Sequence, residues 1–267
     1  MPNVNETVEV ARKVLPVIYV LDTSGSMTGE RIASVNEAMN ETMEVLKDIS
    51  AKNPDAEIKV GVLKFSSGTE WVTNGLVFMD DFYWNDLKAG GVTDFGSALK
   101  ELNSKLSRSE FLVSETGFCV PVIMFMSDGQ PTDNYEKALE DINNNNKWFR
   151  YATKIGIAVG DDADRDTLGK IVGNKEAVVA VNDMATLKML IKVASVTASM
   201  INSKSRTTAE GGNAVEIIKQ TQAELGDDAD KLDTNFDDND TWDSSSNNDT
   251  AGDDNSSDGW DDDSDWN

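Results

Sequence analysis

Leu15-Pro-Val-Ile-Tyr-Val-Leu21-Asp22-Thr23-Ser24-Gly25-Ser26-Met27 begins as a short apolar run and breaks into a Ser/Gly turn directly after an aspartate. An unbroken apolar run of this length reads as a strand buried on both faces, with a loop at its carboxyl end. Strands covered on both faces belong to parallel sheets flanked by helices. A helix is therefore expected next. Within 29–50, Ile32, Val35, Met39, Leu46 and Ile49 recur at helical spacing and leave Glu and Lys for the opposite side.

The alternation continues along the chain. Strand patterns fall near 57–65, 69–73 (an edge hairpin strand), 120–127 and 151–159, with a last one at Ala177–Val181. Helical patterns fall near 94–107 and 164–172, the latter stopped by Gly173. Another opens at Asp133, whose spacing to Glu136 is that of a capping box, and runs towards Trp148. Leu187, Leu190, Ile191, Ala194, Ala198 and Ile201 lay an apolar stripe along a closing helix. The order implies an α/β fold, a doubly wound, mostly parallel sheet with helices on both faces. Such sheets hold ligands beyond the carboxyl ends of their strands.

Composition divides the chain. Residues 203–267 hold 19 acidic and four basic residues, and so carry −15 of the total charge of −24. So acidic a segment repels itself and buries too little apolar surface to offset its ordering entropy. We therefore expect a folded domain at 1–202 and an acidic low-complexity tail, disordered on its own, at 203–267. The negative balance argues against nucleic acid, whose phosphates need clustered Lys and Arg, and against anionic membranes. Cys119 is the only cysteine, which precludes an intrachain disulfide and suits a reducing compartment. The amino terminus shows no export pattern, and the apolar runs at 15–21 and 120–126 are too short to span a bilayer. The expected location is cytoplasmic. Histidine is absent, which removes Ser-His triads and most near-neutral acid/base chemistry. A non-enzymatic role follows as the expectation.

Three clusters fall at strand ends or helix starts: Asp22-Thr-Ser24-Gly-Ser26, Gly90-Gly-Val-Thr93-Asp94 and Ser127-Asp128-Gly129. Asp22, Ser24, Ser26, Thr93 and Asp128 together offer hard oxygen ligands suited to Mg²⁺ or Mn²⁺, while the lack of nitrogen and sulfur donors argues against zinc. Two carboxylates only balance a 2+ ion and the hydroxyls are neutral, so the metal would stay attractive to a partner's Asp or Glu. The helix after this first loop should turn its positive end towards the same anion. Taken singly, Ser24 and Ser26 could shape a turn, Thr93 could cap a helix, and Asp128-Gly129 could end a strand.

Jointly the clusters resemble the von Willebrand factor A family, whose signature is Asp-x-Ser-x-Ser, a distant Thr and an Asp-Gly after a central strand. All five positions match, and the resemblance covers about 13–202. It implies a metal-ion-dependent adhesion site (MIDAS) with Ser24, Ser26 and Thr93 as direct or switchable ligands and Asp22 and Asp128 acting largely through water. The stretches 15–27, 128–133 and 156–164 are similar to bacterial TerY-type proteins linked to tellurite resistance. That likeness implies a scaffold or regulator in a stress-response complex beside a Ser/Thr kinase and a protein phosphatase. An accessory subunit of an AAA-type ATPase or chelatase machine is the alternative, although no P-loop is present. A surface adhesin is disfavoured by the missing export signals.

Phe236, Trp242, Trp260 and Trp266 punctuate the acidic tail, which reads either as a docking segment or as a solubilising one. No stretch of it fits an EF-hand loop. Thr234, Ser246 and Thr250 each precede an Asp by three residues, the pattern of an acid-directed kinase site. A tail Asp is also placed to compete for the open metal position.

Overall fold

The computed structural model describes residues 12–204 and 212–234. Strand β1 (Lys13–Asp22) lies at the centre of a mixed sheet and is buried along nearly its whole length. It pairs in parallel with β2 (Ala56–Ser66) on one side and with β5 (Val122–Ser127) on the other. Beyond β5 follow β6 (Thr153–Val159) and β7 (Val178–Val181), also parallel. The short strands β3 (Gly68–Trp71) and β4 (Val77–Phe78) pair antiparallel with β2.

Helices cover both faces, as the alternation requires. Tyr19 of β1 donates to Ser195 Oγ at 2.8 Å, and Ser195 Oγ also contacts the sulfur of Met124, the residue beside Tyr19 in register. This row faces α6 (Met184–Lys204), on which α1 (Glu30–Lys52) packs. The opposite row holds Phe125, whose ring meets Phe149 of α4 (Lys147–Tyr151), and Phe65, whose ring lies 4.7 Å from that of Phe95 in α2 (Phe95–Lys105). Helix α3 (Glu136–Asn145) packs on α2, and α5 (Arg165–Val172) sits close over Gly156, where an added Cβ would lie 3.5 Å from the Leu168 Cβ. From β1 the chain winds outward through β2, and from β5 it winds the other way through β6 and β7. Right-handed crossovers then put α1 and α3–α5 on opposite faces. The doubly wound fold expected from the sequence is the one observed.

Four local expectations are corrected. The helix expected from Asp133 to Trp148 is two helices, because Asn146 ends α3 and caps α4, its side chain accepting from the Phe149 amide at 3.0 Å and donating to the Leu106 carbonyl at 3.1 Å. Asp133 forms no capping box; its carboxylate accepts from the Gly96 amide at 2.7 Å and braces the start of α2. The last parallel strand starts at Val178, Ala177 belonging to a short 3-10 turn. Most consequential, the domain does not stop at 202. Helix α6 runs to Lys204, and residues assigned to a disordered tail form α7 (Gly212–Leu225), which packs on α6, and β8 (Leu232–Asp233), which pairs antiparallel with β7. Ala214, Ile217, Ile218, Leu225 and Leu232 are buried there, and Arg165 holds the Asp233 carboxylate at 2.6 Å. Their helical spacing was masked by the acidic composition averaged over 203–267. The tail aromatics from Phe236 onward, Ser246 and Thr250 lie outside the described residues. Thr234 follows β8 and its hydroxyl sits 3.3 Å from Gln222 Nε2.

Helix α6 is long and apolar enough by composition to cross a bilayer, yet half of that stretch is buried within the domain. Its apolar length serves the packing of α1 and α7. Cys119 is buried, as expected for a small hydrophobe, and burial raises its thiol pKa.

Candidate metal centre

The two directions of winding part between β1 and β5, which leaves a crevice at their carboxyl ends. Asp22 is the last residue of β1 and Ser127 the last of β5, so Asp22 and Asp128 arrive at this crevice by strand register alone. The two carboxylates are linked through side chains. Ser127 Oγ donates to Asp22 Oδ2 at 2.5 Å, the Ser24 amide donates to Asp22 Oδ1 at 2.7 Å, and Ser26 Oγ donates to Asp128 Oδ1 at 2.8 Å. The Ser24 and Ser26 hydroxyls lie 3.0 Å apart.

Thr93 reaches the same place on a long irregular segment pinned at several points. Asn36 of α1 exchanges two hydrogen bonds with the Leu87 backbone, at 2.8 and 2.9 Å. The Gly90 amide donates to Thr23 O at 2.8 Å, and the Gly25 amide donates to Gly91 O at 2.9 Å. Thr132 closes the segment from the other side, its amide and hydroxyl both donating to Thr93 O, at 2.9 and 3.1 Å. The bland reading of Thr93 as a helix cap does not hold, because Asp94 caps α2 by accepting from the Ser97 amide at 2.9 Å. The Thr93 hydroxyl is thereby left to the crevice.

All five residues singled out in the sequence converge. A Cβ added to Gly129 would stand 3.1 Å from Thr93 Oγ1 and 3.4 Å from Ser26 Oγ, so the bare glycine keeps open the space these hydroxyls face. Asp22, Ser24, Thr93 and Asp128 are buried and Ser26 is exposed, which places the solvent side of the cluster at Ser26. Burial pushes the Asp22 carboxyl above the usual aspartate range; hydrogen bonds from Ser127 and Ser24 oppose the shift, and the nearby Asp128 charge adds to it. A buried carboxylate in this state gains from a neighbouring cation. Among the described residues no group of three or more His, Cys, Asp or Glu is placed to hold a metal. A metal here must therefore rely on hydroxyls, which suits a hard cation.

Three participants escaped the sequence reading. Ser127 bridges Asp22 and the Gly129 amide, Thr132 holds the Thr93 backbone, and Arg31 in the first turn of α1 pairs with Asp128 Oδ2. Ser127 was visible beside Asp128, but nothing local in the sequence marks Arg31. Helix α1 itself starts at Glu30, after a 3-10 turn at Gly25–Met27, and Glu30 already supplies a negative charge to its first turn.

Fold and site together define an α/β domain with an oxygen-rich cluster of side chains at its topological switch point. Residues 17–193 match the von Willebrand factor type A domain model, and the chain belongs to that family. It is 27% identical over 169 residues to human inter-alpha-trypsin inhibitor heavy chain H6, an alignment spanning 58% of this chain and 12% of that protein. A structure of proximal thread matrix protein 1 from the mussel byssus, with a zinc-occupied MIDAS motif, matches with a TM-score of 0.51 and 19% identity, covering 68% of this chain and 47% of that one. The pilus adhesin SpaC of Lactobacillus rhamnosus GG matches with a TM-score of 0.53 and 12% identity, covering 69% and 30%. The chain thus spans less than half the length of each of these relatives. Von Willebrand A domains are protein-interaction modules, and their MIDAS motifs bind divalent metals. Zinc occupies the MIDAS motif of the byssus protein, so the expectation against zinc does not hold for such motifs in general.

Proposed function

We propose that this domain captures a partner protein through a divalent cation, held by Ser24, Ser26 and Thr93 with Asp22 and Asp128 as charge-balancing carboxylates, and that the partner supplies an Asp or Glu. The convergence of the five side chains around the space beside Gly129 carries this reading. The cation, when bound, supplies a Lewis-acidic centre for an anionic group. The chain's own residues keep the donors aligned, bury the two carboxylates and leave the Ser26 side open. Mg²⁺ or Mn²⁺ fits this donor set best, with zinc as a competitor.

The role is binding rather than catalysis: the sequence has no histidine, and the polar cluster is a set of hydroxyls bridging two carboxylates. The likeness of 15–27, 128–133 and 156–164 to TerY-type proteins supports a cytoplasmic scaffold that works beside a kinase and a phosphatase. The net charge of −24 favours a partner with a basic surface around its metal-seeking acid. Affinity purification of the wild-type chain with Mg²⁺, with EDTA, and of Asp22→Ala and Thr93→Ala in Mg²⁺ tests the proposal. Capture should depend on metal and be lost in both variants while their circular dichroism stays native. Capture indifferent to EDTA and to both substitutions would refute it. A co-purifying ATPase in place of signalling enzymes would favour the motor-accessory alternative.

A further inference from the structure

Arg31 occupies a built position beside the metal centre. Its Nη1 pairs with Asp128 Oδ2, and its Nη2 donates to Asp162 Oδ1 at 2.6 Å. Asp128 is fully buried at its side chain and Asp162 is largely exposed, so the guanidinium bridges the floor of the site to its rim. Gly160 makes this possible. It sits at φ 98°, and a Cβ there would fall 2.5 Å from Arg31 Nη2 and 2.9 Å from Cζ. The turn after β6 is thus shaped to receive a flat cation. The other Asp128 oxygen accepts from Ser26. Both Asp128 oxygens are therefore engaged, one by a ligand hydroxyl and one by a positive charge.

We propose that Arg31 is a positioning residue that sets the charge of the metal centre, holding divalent-cation affinity down so that the bound ion keeps its pull on an outside carboxylate. The inference rests on the metal-site reading above. Asp22 and Asp128 alone would present a charge of −2 to a 2+ ion; with the guanidinium against the buried Asp128 they present about −1, because Asp162, the arginine's other partner, is largely exposed and its charge is screened by solvent. An ion so under-compensated binds the protein less tightly and an external acid more strongly. The alternative, that Arg31 merely braces Asp128, carries the opposite sign. Loss of a brace would loosen Asp128 and weaken metal binding, whereas loss of a competing charge strengthens it.

Calorimetric titration of the full-length protein with MnCl₂ separates the two, with thermal melts to verify folding. Arg31→Ala should tighten Mn²⁺ binding by about tenfold, and Arg31→Lys, which keeps the charge, should return it towards the wild-type value. Arg31→Gln, which keeps much of the side chain and removes the charge, should tighten binding in the same direction and serves if Arg31→Ala fails to fold. Equal or weaker Mn²⁺ binding by folded Arg31→Ala or Arg31→Gln overturns the proposal while leaving the metal site standing. Absence of Mn²⁺ binding by the wild-type protein and every variant would instead bring down the metal-site reading and this inference with it.

Discussion

At the scale of single residues, Asp22 concentrates the tension in the site. Its carboxyl is buried and its pKa is raised above the aspartate value of 3.8. In the window between 3.8 and the raised value the folded protein holds more protons than the unfolded one, so this group's contribution to stability falls as pH rises. Above the window the penalty of burying the charge is complete, and a bound cation offsets it. Asp22→Asn should therefore raise the metal-free melting temperature at neutral pH by about 2–4 °C, and should abolish the further rise that Mg²⁺ gives to the wild-type protein. Differential scanning calorimetry in EDTA and in Mg²⁺ checks both halves. Thr93→Val, which removes the hydroxyl but keeps the shape, should shift metal-free stability by no more than about 1 kcal/mol while eliminating Mn²⁺ binding by titration. The five converging side chains were legible in the sequence because each sits in a short, directional cluster at the end of a strand or the start of a helix. Arg31 and Gly160 were not, since their roles exist only once α1 and the turn after β6 meet across the crevice.

Among the secondary-structure elements, the core strands and most helices announced themselves by period, while junctions did not. Asn146 illustrates why: it cuts one helical pattern in two by bonding to the Asn103 and Leu106 carbonyls, a tertiary contact invisible to spacing. Helix α7 and β8 were missed for a different reason, their apolar residues being diluted by the acidic stretch that follows. This changes how the tail must be tested. Truncation after Asn202 removes α7 and β8 and uncovers α6 and the edge of β7, so it should destabilise the domain, read as a lowered melting temperature. Ile217→Ala, at a fully buried position in α7, should cost about 2–5 kcal/mol, measurable by urea denaturation. A value near zero would mean that α7 does not contribute to the folded core.

For the molecule as a whole, the topology explains why one crevice gathers residues separated by a hundred positions. Parallel strands all end on one side, and the reversal of winding between β1 and β5 keeps helices from covering that point. β8 runs antiparallel to β7 and pairs with its last two residues, so α7 and β8 extend the sheet's edge beside the carboxyl end of β7. The account therefore turns on the crevice itself, and the most direct measurement is anomalous diffraction from crystals grown with MnCl₂. A single manganese peak bonded to the Ser24, Ser26 and Thr93 hydroxyls, with Asp22 and Asp128 beside it, is the expected result. Crystals that take up manganese elsewhere, or show these hydroxyls turned from a common centre at saturating metal, would contradict it.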